Sequence, residues 1–111
     1  MTLKDQINIK VLFEQAVENH KKKNLELAKK LYQEIIQINP NLANANYNLG
    51  LVFQNLGEYE KAKKCYQKVI EINPKLANPH NNLGIVYANL GEFSHAINCY
   101  VSALEIDENY K

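Results

Sequence analysis

The chain repeats its own sequence with a period of 34 residues. The segment 43–76 returns as 77–110 with about 15 of the 34 aligned positions identical, and both copies contain Asn-Leu-Gly followed by Leu-Gly-Glu. A more divergent copy covers about 9–42. A fixed period of this length is typical of stacked helix–turn–helix units. The sequence therefore predicts an all-α chain of three units, each made of two antiparallel helices.

One position of the first helix is small in every unit, where Ala16, Gly50 and Gly84 stand in register. The second helix has a tyrosine in every unit, at 32, 66 and 100. Large and small side chains in alternation let neighbouring helices interdigitate, so we expect the two helices of a unit to approach closely. These residues have a packing role and are not evidence of chemistry.

Apolar spacing and turn residues predict where the helices begin and end. Thr2 and Asp5 resemble an N-terminal cap. Gly57 and Gly91 follow first helices, where a left-handed glycine ends a helix without steric cost, and Asn24 is expected to take this role in the first unit. The six helices are expected at about 3–22, 25–38, 43–56, 59–72, 79–90 and 93–106.

These motifs resemble those of tetratricopeptide repeat (TPR) proteins from about Ile9 to the end of the chain. The resemblance implies one domain over 1–111, stacked as a short right-handed superhelical array (an α-solenoid). In the first copy, Gln15 and Asn19 replace residues that are apolar in the later copies, which indicates a helix adapted to an end position. The repeats are expected at about 9–42, 43–76 and 77–110, with an N-terminal extension of the first helix from residue 3.

Composition excludes several classes of function. The 13 basic and 12 acidic residues give a net charge of +1, whereas nucleic-acid-binding domains carry a clear basic surplus. No apolar run approaches the ~18 residues of a membrane span, and the first ten residues lack the apolar core of a signal peptide. A lysine run at 21–23 fits a solvated helix C-terminus better than a site for nucleic acid or anionic lipid. We therefore expect a cytoplasmic protein without nucleic-acid or membrane partners.

No catalytic or metal-binding set is visible. Cys65 and Cys99 lie one repeat apart, on helices expected roughly 8–10 Å apart, beyond the ~7 Å between alpha carbons that a disulfide tolerates. They are expected to act as small buried apolar residues. His95 and Cys99 share a helical face, but two ligands do not make a zinc site. We expect neither an enzyme nor a cofactor.

The resemblance also implies where a partner would bind, because the first helices of successive TPR units line a concave groove. Asparagine is frequent on this face, and a carboxamide offers both a donor and an acceptor to one peptide unit of an extended chain. Asn48 and Asn82 would form regularly spaced clamps, similar to the asparagine ladder in the repeats of O-linked N-acetylglucosamine transferases. The groove positions are Lys10, Phe13, Glu14, Val17, Asn44, Tyr47, Asn48, Leu51, Asn55, Asn78, Asn81, Asn82, Ile85 and Asn89.

Alternatives to ligand contact exist for these asparagines. Asparagine is abundant throughout the chain, so compositional bias also explains Asn48 and Asn82. Asn44 and Asn78 are natural N-caps, with Pro79 at a favoured first helical position, and for these two residues capping is preferred over ligand contact.

A second binding mode of the family is a carboxylate clamp for acidic chaperone tails, which needs lysine, asparagine and arginine at set positions. Phe13, Val17, Asn78 and Asn82 stand at those positions, and only Asn48 matches. A chaperone-tail adaptor is therefore not expected.

The preferred hypothesis is a protein–protein interaction scaffold that binds a protein or peptide segment in the groove. The alternatives are a self-association module, which would form a two-fold dimer through an uncovered last helix, and the recognition arm of a larger enzyme. In a longer protein, the same helix would dock a further repeat. The self-association residues are expected to be Phe93, Ile97, Tyr100 and Leu104.

Overall fold

A computed structural model describes residues 1–108, which form six α-helices. The all-α prediction is confirmed, and each helix packs against its neighbours along the chain, so that the helices form three successive antiparallel pairs. The helices are α1 (Leu3–Lys21), α2 (Leu25–Ile38), α3 (Ala43–Asn55), α4 (Tyr59–Ile72), α5 (Ala77–Asn89) and α6 (Phe93–Ile106).

The first helix begins at the cap that the sequence predicts. The backbone N–H of Asp5 donates to the Thr2 hydroxyl over 3.0 Å, and the backbone N–H of Thr2 donates to the Asp5 carboxylate over 3.1 Å. This reciprocal capping box satisfies two backbone donors at the start of α1. The backbone hydrogen bond from Thr2 is the main reason that the pKa of Asp5 lies below its usual value.

The turns inside the three pairs confirm one prediction and correct another. Gly57 and Gly91 have positive φ angles of 76° and 77°, as expected of a left-handed residue after a helix. In the first pair this residue is Lys23, with φ of 64°, whereas Asn24 has φ of −82°. Lys23 stands 34 residues before Gly57, so the repeat register decides the conformation over the residue preference for asparagine.

The starts of α3 and α5 also differ from the prediction. Helix α5 begins at Ala77, two residues before the expected start, so that Asn78 and Pro79 lie within its first turn. Leu42 and Leu76 occupy the N-cap positions, and neither makes a side-chain capping bond. The expectation that Asn44 and Asn78 cap these helices is therefore wrong.

The local side-chain hydrogen bonds lie in the preceding loops instead. The side-chain oxygen of Asn39 accepts from the backbone N–H of Asn41, and that of Asn73 accepts from the N–H of Lys75, both over 3.1 Å. An asparagine that bonds its own backbone two residues on makes an Asx-turn. The turn before each helix is thus set by the asparagine that precedes the proline, which frees the next asparagine to face solvent.

Close approach within the pairs follows from the glycines, as predicted. A Cβ atom on Gly50 would lie 2.6 Å from Cε1 of Tyr66, and one on Gly84 would lie 2.6 Å from Cε1 of Tyr100. Each tyrosine ring therefore lies flat over the glycine of its own pair. Tyr66 is fully buried, and its hydroxyl donates to the side chain of Gln54 over 2.7 Å.

Both ends of the described array expose apolar side chains. On α1, Leu3, Ile7 and Val11 follow the predicted helical spacing but face solvent. On α6 the exposed large apolar residues are Phe93, Ile97, Val101, Leu104 and Ile106. Among the described residues, no helix has both the length and the apolar character needed to cross a bilayer.

Candidate functional site

The fourteen predicted groove positions lie on α1, α3 and α5, and none of them is buried. We call this set the groove face. The three helices that carry it meet directly, because an amide on α5 bonds a hydroxyl on α3 and two crevices lie between successive first helices. The groove face is therefore one surface that runs across all three pairs.

The first crevice lies between α1 and α3 and has a volume of about 300 Å³. Its apolar walls come from both helices and from the loop before α3. We call it the N-terminal crevice, and its lining is Gln6, Ile9, Lys10, Phe13, Glu14, Leu42, Asn44 and Ala45.

The second crevice lies between α3 and α5 and has a volume of about 310 Å³. Most of its lining residues lie one repeat beyond those of the N-terminal crevice, as Tyr47 does beyond Phe13 and Leu76 beyond Leu42. The groove face thus contains the same crevice twice. This C-terminal crevice is lined by Ala43, Asn44, Tyr47, Val69, Leu76, Ala77, Asn78, Pro79 and Asp107.

The two proposed clamps have different surroundings. The Asn82 amide donates to the Tyr47 hydroxyl over 2.6 Å, and the Tyr47 ring packs on Tyr66 with centroids 5.8 Å apart. One repeat back, Phe13 stands where Tyr47 does and has no hydroxyl. Within residues 1–108, the Asn48 carboxamide makes no hydrogen bond. Asn82 is part of the scaffold, whereas Asn48 is available to a ligand.

Asn48 lies in a depression of about 360 Å³ beside the C-terminal half of α1, lined also by Val17, His20, Lys21 and Tyr32. His20 contacts the Asn55 amide over 2.9 Å through Nε2. The amide nitrogen is a donor, so this contact makes Nε2 the acceptor and places the proton on Nδ1. Partial burial lowers the pKa of His20, which also favours the neutral ring.

The third asparagine pair of the groove face differs again. The Asn89 amide donates to the backbone carbonyl of Ile85 over 2.9 Å, within its own helix. Its column partner Asn55 instead reaches His20 on α1, across two helices. Identical residues one repeat apart therefore do not offer identical groups to a ligand.

Two polar residues that the sequence did not single out anchor the groove helices. Asn46 is buried, and its amide donates to the carbonyls of Pro40 and Leu42 over 3.1 and 2.8 Å. One repeat later, Nε2 of His80 lies 3.0 Å from the carbonyl of Pro74. The signal for both was their shared column, immediately before groove positions, and their role is structural.

The remaining reactive groups point to packing. Burial raises the pKa of the Cys65 thiol to about 12 and also raises that of Cys99, and both thiols are free. A thiol with a raised pKa is a poor nucleophile. No group of three or more metal-ligating side chains occurs among residues 1–108.

The sequence missed several residues of the crevices, among them Ile9, Leu42, Leu76, Val69 and Asp107. A signal existed for Leu42 and Leu76, which hold one column before α3 and α5. Val69 and Asp107 come from second helices, and their approach to the groove face depends on tertiary packing that the repeat alone does not specify.

Comparison with known proteins agrees with this architecture. Residues 41–109 match a family model described as "Tetratricopeptide repeat", and residues 18–57 match one described as "TPR repeat". A crystal structure of MamA superposes with a TM-score of 0.87 and 29% identity, over 90% of this chain and 58% of that chain. An O-GlcNAc transferase mutant from Thermobaculum terrenum gives 0.88 and 28%, over 99% of this chain and 21% of that chain. This chain thus spans less than two thirds of either protein. No curated protein sequence matches it.

Proposed function

The chain belongs to the tetratricopeptide repeat family, whose domains are generally protein-interaction modules, and from that premise we propose that its groove face binds an extended segment of another protein. The single observation that carries the proposal is the repeated crevice. Two apolar-walled cavities of nearly equal volume follow one another along one exposed face. Their volumes lie at the lower end of the ~300–1,000 Å³ range of ligand sites, which suits one side chain each.

An extended segment suits this surface because its side chains and its backbone contact different parts of it. Successive side chains of an extended chain point to opposite faces, so alternate side chains enter pockets while the backbone stays within reach of amides. In our proposal, apolar side chains of the partner occupy the two crevices. The Asn48 carboxamide, unpaired within residues 1–108, bonds a peptide unit of the partner.

The charges of the groove face favour a partner segment without strong charge. Lys10 and Glu14 both line the N-terminal crevice and offset one another, and asparagines supply most of the other polar groups. Such a surface provides little electrostatic steering. We therefore propose a neutral, apolar-rich segment as the ligand.

A random-peptide display library selected on the immobilised chain tests this function. Asn44 lines both crevices and is exposed, so Asn44→Arg places a long charged side chain at both of them. We expect it to weaken the selected peptides at least ~10-fold, or about 1.4 kcal/mol. The matched control is Asn8→Arg, which makes the same change at an exposed position of α1 that lines neither crevice.

The two variants also define failure. If the selected peptides bind Asn44→Arg as tightly as the parent, or lose as much affinity to Asn8→Arg, the crevices are not the binding site. Selection of peptides without apolar side chains would refute the proposed ligand class, even if they bound the groove face.

A second candidate function is recognition within a larger enzyme. It is favoured by the likeness to about a fifth of an O-GlcNAc transferase, with 28% identity over 99% of this chain. In that case the groove face would hold the protein substrate of a catalytic domain. The sequence of the complete gene tests this reading, since it requires a catalytic domain encoded in the same reading frame.

A further inference from the structure

The last described helix presents a stripe of apolar side chains to solvent. Phe93, Ile97, Val101 and Leu104 are between 46% and 64% exposed, and we call them the α6 face. Tyr100, which the sequence placed in this stripe, is only half-exposed with its ring over Gly84, and Val101 completes the stripe instead.

The equivalent positions of the first two pairs are covered by the next helix. The side chains of Lys29 and Lys63, in the column of Ile97, are only 19% and 20% exposed. Ile36 and Ile70, in the column of Leu104, pack against the buried core. The α6 face therefore has the position of an interface but no described element covers it.

The chemistry of this face also differs from that of the internal interfaces. Lys29 and Lys63 pair with acidic residues three positions earlier, at 2.7 and 3.0 Å. On α6 both members of the pair change, to Ser94 and Ile97. A surface adapted to water would keep the charges. The α6 face has become more apolar than the covered positions it corresponds to.

The internal interface between α4 and α5 shows what else has been lost. There, the Gln67 amide donates to the Tyr87 hydroxyl over 3.3 Å, and the Lys63 ammonium lies 5.8 Å from the Tyr87 ring centroid. Val101 stands in the column of Gln67 and offers neither a donor nor a charge. The α6 face therefore does not match a first helix of the kind that this chain contains.

Docking of α1 from a second copy in the internal register meets an added obstacle. Val52 and Val86, which face the preceding second helix, are fully buried, and the residue in their column on α1 is Glu18. In that register the Glu18 carboxylate would be buried near Ile97, where no lysine remains to pair with it. An unpaired buried charge is strongly unfavourable, so open head-to-tail assembly is disfavoured.

We propose that the α6 faces of two copies of this chain pair with each other, with the helices antiparallel about a two-fold axis. The stripe is symmetric about its midpoint near residue 99, because Phe93 and Leu104 lie about equally far from it, as do Ile97 and Val101. A two-fold axis at that point places Phe93 opposite the partner's Leu104 and Ile97 opposite the partner's Val101. Such a self-complementary patch closes at the dimer. This surface is separate from the groove face.

The area available sets the strength of the pairing. Large side chains present roughly 150–250 Å² each when fully exposed, so four at about half exposure present on the order of 400 Å² per copy. Pairing would bury about 800 Å², which is below the ~1,200 Å² of stable complexes and suits a weak dimer. We expect a dissociation constant between about 10 μM and 1 mM.

Sedimentation equilibrium over a range of concentrations tests the proposal. The average mass should rise from 12.8 kDa towards twice that value and stop there. The test variant, Ile97→Lys with Val101→Gln, restores the residues of the internal columns and should raise the dissociation constant at least ~10-fold. The matched control, Ile7→Lys with Val11→Gln on the exposed side of α1, should dimerise as the parent does.

Amide chemical shifts of the unaltered chain give a second measurement that does not depend on a variant folding. On dilution, the largest shift changes should fall on α6. A parent chain that stays monomeric at 1 mM, a mass that passes the dimer, or loss of association in the α1 control would each overturn the proposal. Dilution shifts confined to α1 or to the groove face would do the same.

Discussion

Substitution of the two packing glycines by alanine separates a rigid helix contact from an adjustable one. A Cβ atom on Gly50 would lie 2.6 Å from Cε1 and 3.0 Å from Cδ1 of Tyr66. Carbon atoms in good contact lie about 3.5–4.0 Å apart, so the ring must move by about 1 Å. Tyr66 is fully buried and its hydroxyl is held by Gln54. The ring therefore has nowhere to move without loss of that bond.

The magnitude follows from three opposing effects. Overpacking costs about 1–3 kcal/mol, loss of the hydrogen bond to Gln54 adds about 1 kcal/mol, and alanine recovers about 1 kcal/mol through its helix propensity. We expect Gly50→Ala to lower the free energy of unfolding by about 2 kcal/mol. Gly84→Ala makes the same clash with Tyr100, but that ring is half-exposed and turns towards solvent, so we expect a change close to zero.

Guanidinium unfolding followed by far-ultraviolet circular dichroism measures both variants against the parent. Gly84→Ala is the matched control, because substitution, helix position and clashing atoms are the same. Equal destabilisation of the two variants would show that burial of the tyrosine does not decide the cost. A Gly50→Ala variant as stable as the parent would refute the reasoning from the 2.6 Å contact.

Three further predictions concern buried groups. Asn46→Ala should lower the free energy of unfolding by about 1–3 kcal/mol in the same assay, because it leaves the Pro40 and Leu42 carbonyls without their donor. Burial places the pKa of His20 below its ordinary value of 6.5, so its contribution to stability is complete above that pH and declines as the pH falls through the lowered pKa; unfolding at pH 7.5 and about pH 5 should show this loss in the parent and not in His20→Gln. A thiol reagent should modify Cys99 before Cys65, whose pKa of about 12 reflects deeper burial, and peptide mass mapping over time would contradict this if both reacted together.

The sequence predicts the helices well because its period constrains every unit at once. Gly57 and Gly91 end first helices where expected, and the same register, applied strictly, also marks Lys23. The residue preference of Asn24 for a left-handed conformation was a weaker guide than the 34-residue spacing. The start of α5 was misplaced for a related reason, because Pro79 is compatible with several positions in a first turn.

The site was less predictable because its chemistry depends on neighbours from other helices. The groove positions follow from the register, and all of them are accessible to solvent. Whether a given asparagine is free depends on which side chain of the preceding unit reaches it, as with Asn82 and Tyr47. Such contacts need the distance between first helices, which sequence spacing does not contain.

The difference between Asn48 and Asn82 rests on one oxygen atom, which leads to a final prediction. Phe13→Tyr adds a hydroxyl at the position where Tyr47 accepts from Asn82, and Asn48 lies in the position to donate to it. We expect the free energy of unfolding to rise by about 0.5–1.5 kcal/mol, the value of one net hydrogen bond. If Asn48 clamps the partner backbone, the same change should weaken the library-selected peptides about fivefold, or about 1 kcal/mol, by engaging its amide. Tyr47→Phe is the converse control, since it should lower stability by releasing Asn82 and leave Asn48 unaffected. A Phe13→Tyr variant with unchanged stability would show that the first and second units do not share this contact geometry. A stabilised variant with unchanged peptide affinity would remove Asn48 from the binding site, while the crevices remained to be judged by Asn44→Arg.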